Sequence, residues 1–283
     1  MAGNPGRLAV ISTPIGNLGD LSPRARDELA AAELVAAEDT RRTGQLLTTL
    51  GLSRPLVSLH EHNESERIDE LLARLRAGAR IALVSDAGTP LLSDPGFELV
   101  RRVAEAGVHI VAVPGPSAIT AALSIAGLPT ERFSFEGFLP ARLAERRTRL
   151  AELALESRTL VFFEAPHRIA ESLEDMSTAF GEGRRAAVAR ELTKVFETVY
   201  RGTLATLAAQ ARSDSNFARG EITVVVAGAE RVEADPRAQL DATLAVLLSE
   251  LAPSKAAALA ARLTGARRND AYTRALELAK GGD

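Results

Sequence analysis

Five short apolar segments in the first half of the chain are each followed by a polar turn and a helical pattern. Continuous apolar runs of this length are typical of strands that a sheet buries on both faces. Strands that alternate with helices over short connections form a mostly parallel sheet with right-handed crossovers. We therefore predict an α/β fold that begins with a parallel five-stranded sheet. The predicted strands are Leu8–Ser12, Leu34–Ala37, Pro55–Leu59, Ile81–Val84 and His109–Val113.

The fourth segment leads into the turn Ser85–Pro90, with the sequence SDAGTP. Gly88 permits backbone conformations that other residues resist, and Pro90 restricts the next turn. Asp94 and Pro95 are predicted as the N-cap and the first residue of a helix. Open α/β sheets bind ligands at the carboxyl ends of such strands. A single turn of this kind is more often a structural connection, but this chain has several.

The other strands end in the turns TPIGN, EDTRR, HEHN and PGPS. The carboxyl ends of parallel strands share one edge of a sheet, so these turns converge there. Turns rich in Gly and Pro expose backbone N–H and C=O groups to a closely approaching ligand. The charged residues of EDTRR are costly to bury without partners. The sequence therefore predicts a ligand site at this edge.

The second half of the chain follows a link at 127–130 and contains more strands that are neighbours in sequence, which predicts a mixed sheet. A charged linker then precedes helices predicted over about 237–251, 254–264 and 269–280. The break at Gly265–Arg268 allows a helix-turn-helix-like unit. We predict an N-terminal α/β domain (1–126), a second α/β domain (127–232) and a C-terminal helical segment (233–283).

The formal net charge of −3 means that any nucleic-acid contact must come from a local patch. Ser254–Asp283 is such a patch, with more basic than acidic residues. The absence of cysteine excludes disulfides and thiolate chemistry. No apolar run approaches the roughly 18 residues that a membrane span needs, and the N-terminus has no signal-peptide pattern. We expect a cytoplasmic location and no membrane partner.

Several familiar motifs are absent from the sequence. The sequence contains no G-x-G-x-x-G motif for dinucleotide binding, no P-loop and no G-x-S-x-G nucleophile elbow. His60 and His62 could face the same way and bind a metal ion. No third ligand is evident, so structural or substrate-contacting histidines are favoured and no metal is predicted.

Eight sequence blocks occur in one order across residues 7–230. They are TPIGNLGDLSPRA, AAEDTRRTGQLL, LVSDAGTPLLSDPGF, VPGPSAITAALSIAGLP, FEGFLP, FFEAPHRI, ARELTKVFE and GEITVVV. In these blocks the chain resembles the bacterial 16S ribosomal RNA cytidine ribose 2′-O-methyltransferases, a family of the tetrapyrrole-methylase superfamily. The segments PSKAAALAARLTG and RRNDAYTRAL resemble the helical C-terminal appendage of that family. The SDAGTP and EDTRRT blocks distinguish the chain from the precorrin methylases.

The resemblance implies S-adenosylmethionine, bound in the cleft between the two domains, and a homodimer. It also implies a substrate, a cytidine of 16S rRNA in the decoding region of the small ribosomal subunit. A carboxylate such as Asp86 suits the cationic sulfonium of the cofactor. The resemblance assigns these residues to the cofactor: Pro14, Gly16, Asp86, Ala87, Gly88, Thr89, Pro90, Gly115, Pro116, Ser117, Ala165, Gly220 and Glu221.

Methyl transfer is an in-line displacement, so alignment of the reacting atoms can supply much of the rate. A ribose hydroxyl is a poor nucleophile, and a general base typically contributes about 10²–10⁴-fold. The candidate bases are Glu38, Asp39, Glu191 and Lys194. Lys194 would have to be neutral to act as a base, and a phosphate contact is its alternative role. The candidate RNA contacts are Arg41, Arg42, Arg168 and Arg190, each with an ion pair as the alternative.

Two other functions fit parts of the sequence. C-methylation of a tetrapyrrole is disfavoured by the basic C-terminal segment and by the arginines between Arg142 and Arg149, because such a substrate needs no phosphate contacts. A non-catalytic RNA- or nucleotide-binding module would bind without turnover. The absence of Trp and the presence of two Tyr disfavour an RNA stacking platform and favour recognition of a structured particle through phosphates and shape.

Overall fold

The computed structural model describes residues 6–60, 64–230 and 236–280, and all five strands predicted in the first half are present. They form one parallel sheet, as predicted, and the structure gives its strand order as β3-β2-β4-β1-β5. The strands are β1 (Arg7–Ile11), β2 (Leu34–Ala37), β3 (Leu56–Ser58), β4 (Arg80–Val84) and β5 (His109–Val113). The helices are α1 (Pro23–Ala31), α2 (Thr40–Thr49), α3 (Glu64–Arg76), α4 (Phe97–Glu105) and α5 (Ala118–Ala126).

The central strand β4 shows why this sheet is buried on both faces. Ile81 and Leu83 pack in one apolar cluster with side chains of α3 and α4. Ala82 and Val84 point the other way and pack with side chains of α1 and α2. Because successive side chains of a strand alternate between faces, one short apolar run fills both cores.

The second sheet is mixed, as predicted. Its order is β6-β7-β10-β8-β9, with β6 parallel to β7 and the other neighbours antiparallel. The strands are β6 (Phe133–Phe138), β7 (Thr159–Glu164), β8 (Arg185–Arg190), β9 (Thr198–Thr203) and β10 (Ile222–Val226). One face is covered by α6 (Leu143–Leu153), α7 (Ile169–Phe180) and α8 (Leu204–Ser213).

Helix α5 joins the two sheets. Its side chains Ile119 and Leu123 pack with Val161 and Val225 on the free face of the second sheet. Both sheets therefore belong to one unit, Met1–Ala229. The predicted division after residue 126 coincides with the end of α5.

The start of α4 differs from the prediction. The helix begins at Phe97, with Gly96 as its N-cap, so the assignment of Asp94 as N-cap and Pro95 as first helical residue is wrong. The preceding loop passes through left-handed backbone conformations at Leu91, Ser93 and Gly96, and Asp94 lines a pocket instead of capping the helix. By contrast, Ser22 caps α1 as its sequence pattern indicates, because its side chain accepts from the N–H of Ala25.

The second unit, Glu230–Asp283, contains three helices close to their predicted positions. They are α9 (Pro236–Leu248), α10 (Pro253–Thr264) and α11 (Arg268–Lys280). Small side chains such as Ala256, Ala260, Ala271 and Ala275 form its core, so the helix backbones approach closely. No helix in the described ranges is long and apolar enough to span a lipid bilayer.

Candidate functional site

A pocket of about 430 Å³ lies where the carboxyl edge of the first sheet meets the second sheet. This volume is within the range of roughly 300–1,000 Å³ that small-molecule sites occupy. Its lining comes from the turns that follow four strands of the first sheet and from the ends of the second sheet's strands. Four of the five turns predicted to converge contribute to it; the exception is HEHN, of which His60 does not line the pocket and residues 61–63 lie outside the described residues.

The predicted cofactor residues divide into two groups. Those that line the pocket are Asp86, Ala87, Gly88, Thr89, Ser117, Ala165, Gly220 and Glu221. Those that do not line it are Pro14, Gly16, Pro90, Gly115 and Pro116. Two residues of the second group contact parts of the site. The Pro116 carbonyl accepts a hydrogen bond from the Thr89 hydroxyl at 3.1 Å. The Lys194 side chain packs on Gly16, where an added Cβ would lie 2.4 Å from the Cγ of Lys194.

The turns after β1 and β4 are bonded to each other. Thr13 and Gly88 exchange two backbone hydrogen bonds, at 2.9 and 3.0 Å. Gly88 has a φ of +81°, a conformation that side-chain-bearing residues resist. The hydroxyl groups of Ser12 and Thr89 lie 2.8 Å apart and form a second link. The SDAGTP turn is therefore held rigidly against the first turn.

Three of the five described carboxylates that line the pocket, those of Glu38, Asp86 and Asp94, follow strands of the first sheet and lie near Arg42; the other two, Glu164 and Glu221, come from the second sheet. Asp86 accepts from the backbone N–H of Asp39 at 3.0 Å and pairs with Arg42 at 3.3 Å. Burial, followed by the nearby charges of Asp94 and Asp86, raises the pKa of Glu38. Burial also raises the pKa of Asp94. The cluster thus contains one candidate base, Glu38, with increased affinity for a proton.

The loop that carries Asp94 is strained. Leu91 and Ser93 have φ values of 73° and 70°, which residues other than glycine rarely adopt. Strained backbone of this kind persists only where the surroundings enforce it, and it is concentrated at functional sites. Leu92, Ser93 and Asp94 all line the pocket. Sequence reasoning missed this loop because Asp94-Pro95 is also a common helix-start pattern.

Several apolar side chains also line the pocket, and they were not predicted residue by residue. Ile119 and Leu192 are nearly fully buried there, beside Phe163. Phe138 lines the same pocket but is exposed. These residues look like ordinary core positions in the sequence, so no local pattern distinguishes them.

Known families match both units of the chain. A family model described as Tetrapyrrole (Corrin/Porphyrin) Methylases matches residues 7–208, and one described as RsmI C-terminal HTH domain matches residues 234–279. Three curated relatives share the name ribosomal RNA small subunit methyltransferase I. That of Xylella fastidiosa (strain Temecula1) is 54% identical, covering 95% of this chain and 98% of the relative. That of Pseudomonas aeruginosa is 53% identical and covers 96% of this chain and 97% of the relative. That of Mesorhizobium japonicum is 48% identical and covers 96% of this chain and 92% of the relative. The chain belongs to this methyltransferase family.

Solved structures with the same fold come from other methyltransferases. Uroporphyrin-III-C-methyltransferase from Thermus thermophilus has a TM-score of 0.57 at 22% identity, covering 78% of this chain and 94% of that chain. The methyltransferase CobJ has a TM-score of 0.59 at 22% identity, covering 79% and 95%. At this identity the likeness establishes the fold alone. It confirms the predicted tetrapyrrole-methylase-like architecture.

Among the candidate bases of this methyltransferase, Asp39 is the N-cap of helix α2. Its side chain caps α2 through the N–H of Arg41 at 2.8 Å and also pairs with the Arg41 guanidinium. These hydrogen bonds lower the pKa of Asp39. A carboxylate held in this way is a weak base, so the geometry favours Glu38 over its neighbour.

Lys194 is held between two carboxylates. Its ammonium donates to Glu191 at 2.8 Å and to Glu221 at 3.2 Å. Burial alone would lower the pKa of Lys194, but these two hydrogen bonds outweigh burial and raise it. The same hydrogen bond lowers the pKa of Glu191. These surroundings favour the charged form of Lys194 over the neutral form that a base requires, and Glu191 also accepts from the backbone N–H of Glu221 at the pocket.

The four arginines predicted to meet RNA differ in their surroundings. The Arg41 and Arg42 side chains are 87% and 66% exposed, and Arg42 lines the pocket. Arg168 donates to the carbonyls of Leu139 and Pro140, at 2.7 and 3.1 Å. Arg190 is buried and donates to two backbone carbonyls. The alternative role, an ion pair, is present for Arg41 with Asp39, for Arg42 with Asp86 and for Arg168 with Glu164, whereas Arg190 is held by backbone carbonyls.

The arginines at the start of α6 also have intramolecular partners, contrary to their use as evidence for phosphate contacts. Arg146 is buried and pairs with Asp175 on α7 at 2.7 Å. Arg147 pairs with the same carboxylate at 3.0 Å. Arg142 pairs with its neighbour Glu145 on the helix surface. This cluster fastens α6 to α7.

The histidine pair cannot be assessed as a metal site, because His62 lies outside the described residues. His60, at the end of the third strand region, is described. Within the described ranges, no group of three His, Cys, Asp or Glu side chains is placed to hold a metal ion.

Proposed function

We propose that this methyltransferase transfers a methyl group from S-adenosylmethionine to the ribose 2′-oxygen of a cytidine in the decoding region of 16S rRNA, within the small ribosomal subunit. The observation that carries this proposal is the pocket itself. In it Glu38, Asp86 and Asp94 line one volume together with apolar side chains such as Ile119 and Leu192. The relatives' name supplies the class of substrate.

The pocket residues fit S-adenosylmethionine. The carboxylate of Asp86 offers an opposite charge to a sulfonium, and attraction between charges is strengthened in a partly buried site. The buried side chains of Ile119 and Leu192 offer an apolar surface to an adenosyl group. When bound, S-adenosylmethionine supplies an electrophilic methyl group on a cationic sulfur. Ala165 and Gly220, which the resemblance assigns to the cofactor, line the same pocket.

Glu38 is the proposed general base. It accepts the proton of the ribose 2′-hydroxyl while the new oxygen–methyl bond forms. A base is most effective when its pKa lies nearer to the working pH, and burial with two nearby acidic residues raises the pKa of Glu38. Arg42 and the backbone of Asp39 hold Asp86 in place beside it. Positioning of the reacting atoms supplies the other part of catalysis.

The proposed RNA contacts are Arg42 at the pocket, its exposed neighbour Arg41 and the basic residues of the C-terminal unit. Exposed guanidinium groups bind phosphates well because their donors match phosphate geometry. We also propose that the protein is a homodimer that acts in the cytoplasm, where ribosomal subunits are found. Light scattering from the purified chain measures the dimer directly.

The deciding experiment is methyl transfer from labelled S-adenosylmethionine to unmodified small ribosomal subunits, followed by mass mapping of the RNA. We expect label on one ribose 2′-oxygen, and higher activity on the assembled subunit than on a naked oligonucleotide. Equal activity on both would contradict recognition of a structured particle. Binding of the cofactor without label on RNA would favour the alternative, a tetrapyrrole-type small molecule.

Asp86→Asn is expected to weaken S-adenosylmethionine binding by about 10- to 100-fold, as measured by calorimetry. The amide oxygen still accepts from the Asp39 N–H, but the negative charge beside the sulfonium is removed, and interactions with charged groups are typically worth about 1.5–3 kcal/mol. Asp69→Asn is the control, because Asp69 is an exposed carboxylate paired with Arg102 outside the pocket. Unchanged affinity in Asp86→Asn would contradict its assigned role.

Arg267→Ala with Arg268→Ala is expected to weaken binding to the subunit and to flatten its salt dependence. Both residues are exposed, and neither has an ion pair within the described ranges. The slope of log K against log salt falls by about 1 for each phosphate that the protein no longer neutralises. Arg74→Ala, which removes an exposed arginine already paired with Glu70, is the control. A slope equal to that of the wild type would exclude this segment from the RNA interface.

A further inference from the structure

Phe138 has an unusual position for a phenylalanine. It is the last residue of β6 and is 56% exposed, yet it lines the pocket. Single exposed apolar side chains are common on protein surfaces and carry no meaning alone. Here, however, a local irregularity of the strand determines which way the ring points.

A β-bulge in β6 puts Phe138 on the pocket side of the sheet. Phe135 pairs with Val161, but the next paired residue is Gly137, opposite Phe162, so that Glu136 is an extra residue. Side chains alternate along a strand, and one extra residue reverses the alternation beyond it. Without the bulge, Phe138 would face the opposite side of the sheet. Bulges are common next to active sites, where they redirect a side chain.

The backbone conformation of Gly137 stabilises the bulge. Gly137 has a φ of +65°, which favours glycine at this position. A Cβ added there would lie 3.3 Å from the hydroxyl oxygen of Ser93, in the strained loop that carries Asp94. The bulge and that loop therefore support each other at one side of the pocket.

The redirected ring lies against a second aromatic ring that is less exposed. The centroids of Phe138 and Phe163 are 5.6 Å apart, with the ring planes inclined by 59°. Phe135 contacts the same Phe163 ring from 4.8 Å. Phe163 therefore packs against Phe138, and much of the Phe138 side chain remains exposed to solvent.

We propose that Phe138 stacks on the base of the nucleotide that is methylated, and so holds its ribose at the pocket. This inference rests on the proposed function. A nucleotide whose base leaves the neighbouring stack can bring its ribose into a concave pocket. A flat aromatic ring then replaces the missing stacking partner, whatever the base. The small number of aromatic residues argues against an extended platform, but one ring at the pocket is sufficient for one base.

The exposure of the ring favours the substrate base over the cofactor as its partner. The apolar residues suited to an adenosyl group, such as Leu192 and Ile119, are 7% and 5% exposed. Phe138 remains open, as expected for a group that meets a partner arriving from solvent. Exposed Arg42 lines the same pocket and offers a positive charge to the adjoining phosphate.

The test compares side chains of similar size with and without an aromatic ring. Phe138→Leu is expected to lower kcat/KM for methylation of small subunits on the order of 10- to 100-fold. The dissociation constant for S-adenosylmethionine and the oligomeric state should not change. Phe138→Tyr and Phe138→Trp should restore most of the activity, because both keep a ring. Phe133→Leu, at the other end of β6 and outside the pocket lining, is the matched control.

Three results would overturn the inference: wild-type kinetics in Phe138→Leu, an equal decrease in Phe138→Tyr and Phe138→Leu, or a decrease explained by weaker cofactor binding. Dissociation of a dimer by Phe138→Leu would instead identify a second copy of the chain as the partner of this ring, and would also overturn it. If the wild-type protein does not methylate subunits, the proposed function itself is refuted. If the wild type is active and the Phe138 variants give one of the results above, only the inference about Phe138 fails.

Discussion

Glu38→Gln is expected to lower kcat for ribose methylation by about 10²–10⁴-fold, the usual contribution of a general base. The amide has nearly the same shape but cannot accept the hydroxyl proton. Glu38 lines the pocket and does not act as the main partner of the cofactor in the proposed arrangement. We therefore expect the dissociation constant for S-adenosylmethionine to remain close to that of the wild type. Single-turnover rates at saturating cofactor measure the effect.

The adjacent carboxylate provides a control for this substitution. Asp39→Asn can still cap α2 and should retain most of the activity, because Asp39 is not the proposed proton acceptor. Equal decreases in Glu38→Gln and Asp39→Asn would contradict the assignment of the base to Glu38.

The rate should also depend on pH in a specific direction. The active form of Glu38 is deprotonated, so the single-turnover rate should rise with pH through the raised pKa of this group. Asp94→Asn removes a nearby negative charge that disfavours ionisation of Glu38. The pKa of Glu38 should then fall, and the acidic limb of the profile should move to lower pH. An unchanged limb would show that Glu38 does not control it.

Asp175→Ala is expected to lower the free energy of unfolding by about 3–5 kcal/mol, the usual cost of leaving one partner of a buried ion pair without the other. The Arg146 side chain is 3% exposed and would be deprived of its partner at 2.7 Å. Glu171, at 3.5 Å and largely exposed, can replace little of this interaction. Urea unfolding followed by circular dichroism measures the change.

Two further variants separate charge burial from simple loss of packing. Arg146→Met combined with Asp175→Leu should recover much of the stability, because replacing both members of a buried pair by apolar groups is often neutral. Glu152→Ala removes an exposed partner of Arg149 and should cost at most about 1 kcal/mol. A small effect of Asp175→Ala would mean that the pair contributes little to holding α6 against α7.

The sequence alone was sufficient for the architecture of both sheets. The buried run at Ile81–Val84 and its counterparts predicted a parallel first sheet, since the period and length of apolar segments are local properties. The turns at Ser85–Pro90 and Gly115–Ser117 predicted where the site would be, because parallel strands end at one edge. The resemblance of eight blocks supplied the family.

Single residues were harder to assign, because local patterns do not specify partners. Asp94 has the pattern of a helix cap but faces the pocket from a strained loop. Arg190 has the pattern of a charged surface residue but is buried against backbone carbonyls. Lys194 lies three residues after Glu191, so that contact is local. The second carboxylate that accepts from Lys194, that of Glu221, is 27 residues further along the chain.

What the sequence by itself determined is which segments form strands and turns, and hence the edge at which the pocket lies. Only the tertiary structure decided which side chains share the pocket. Glu38 and Asp86 meet because β2 and β4 are neighbours in the sheet, although α2, β3 and α3 separate them in the chain. Phe138 reaches the pocket because one extra residue reverses the alternation of β6. Strand order and register depend on the packing of the whole sheet, so no local segment encodes them.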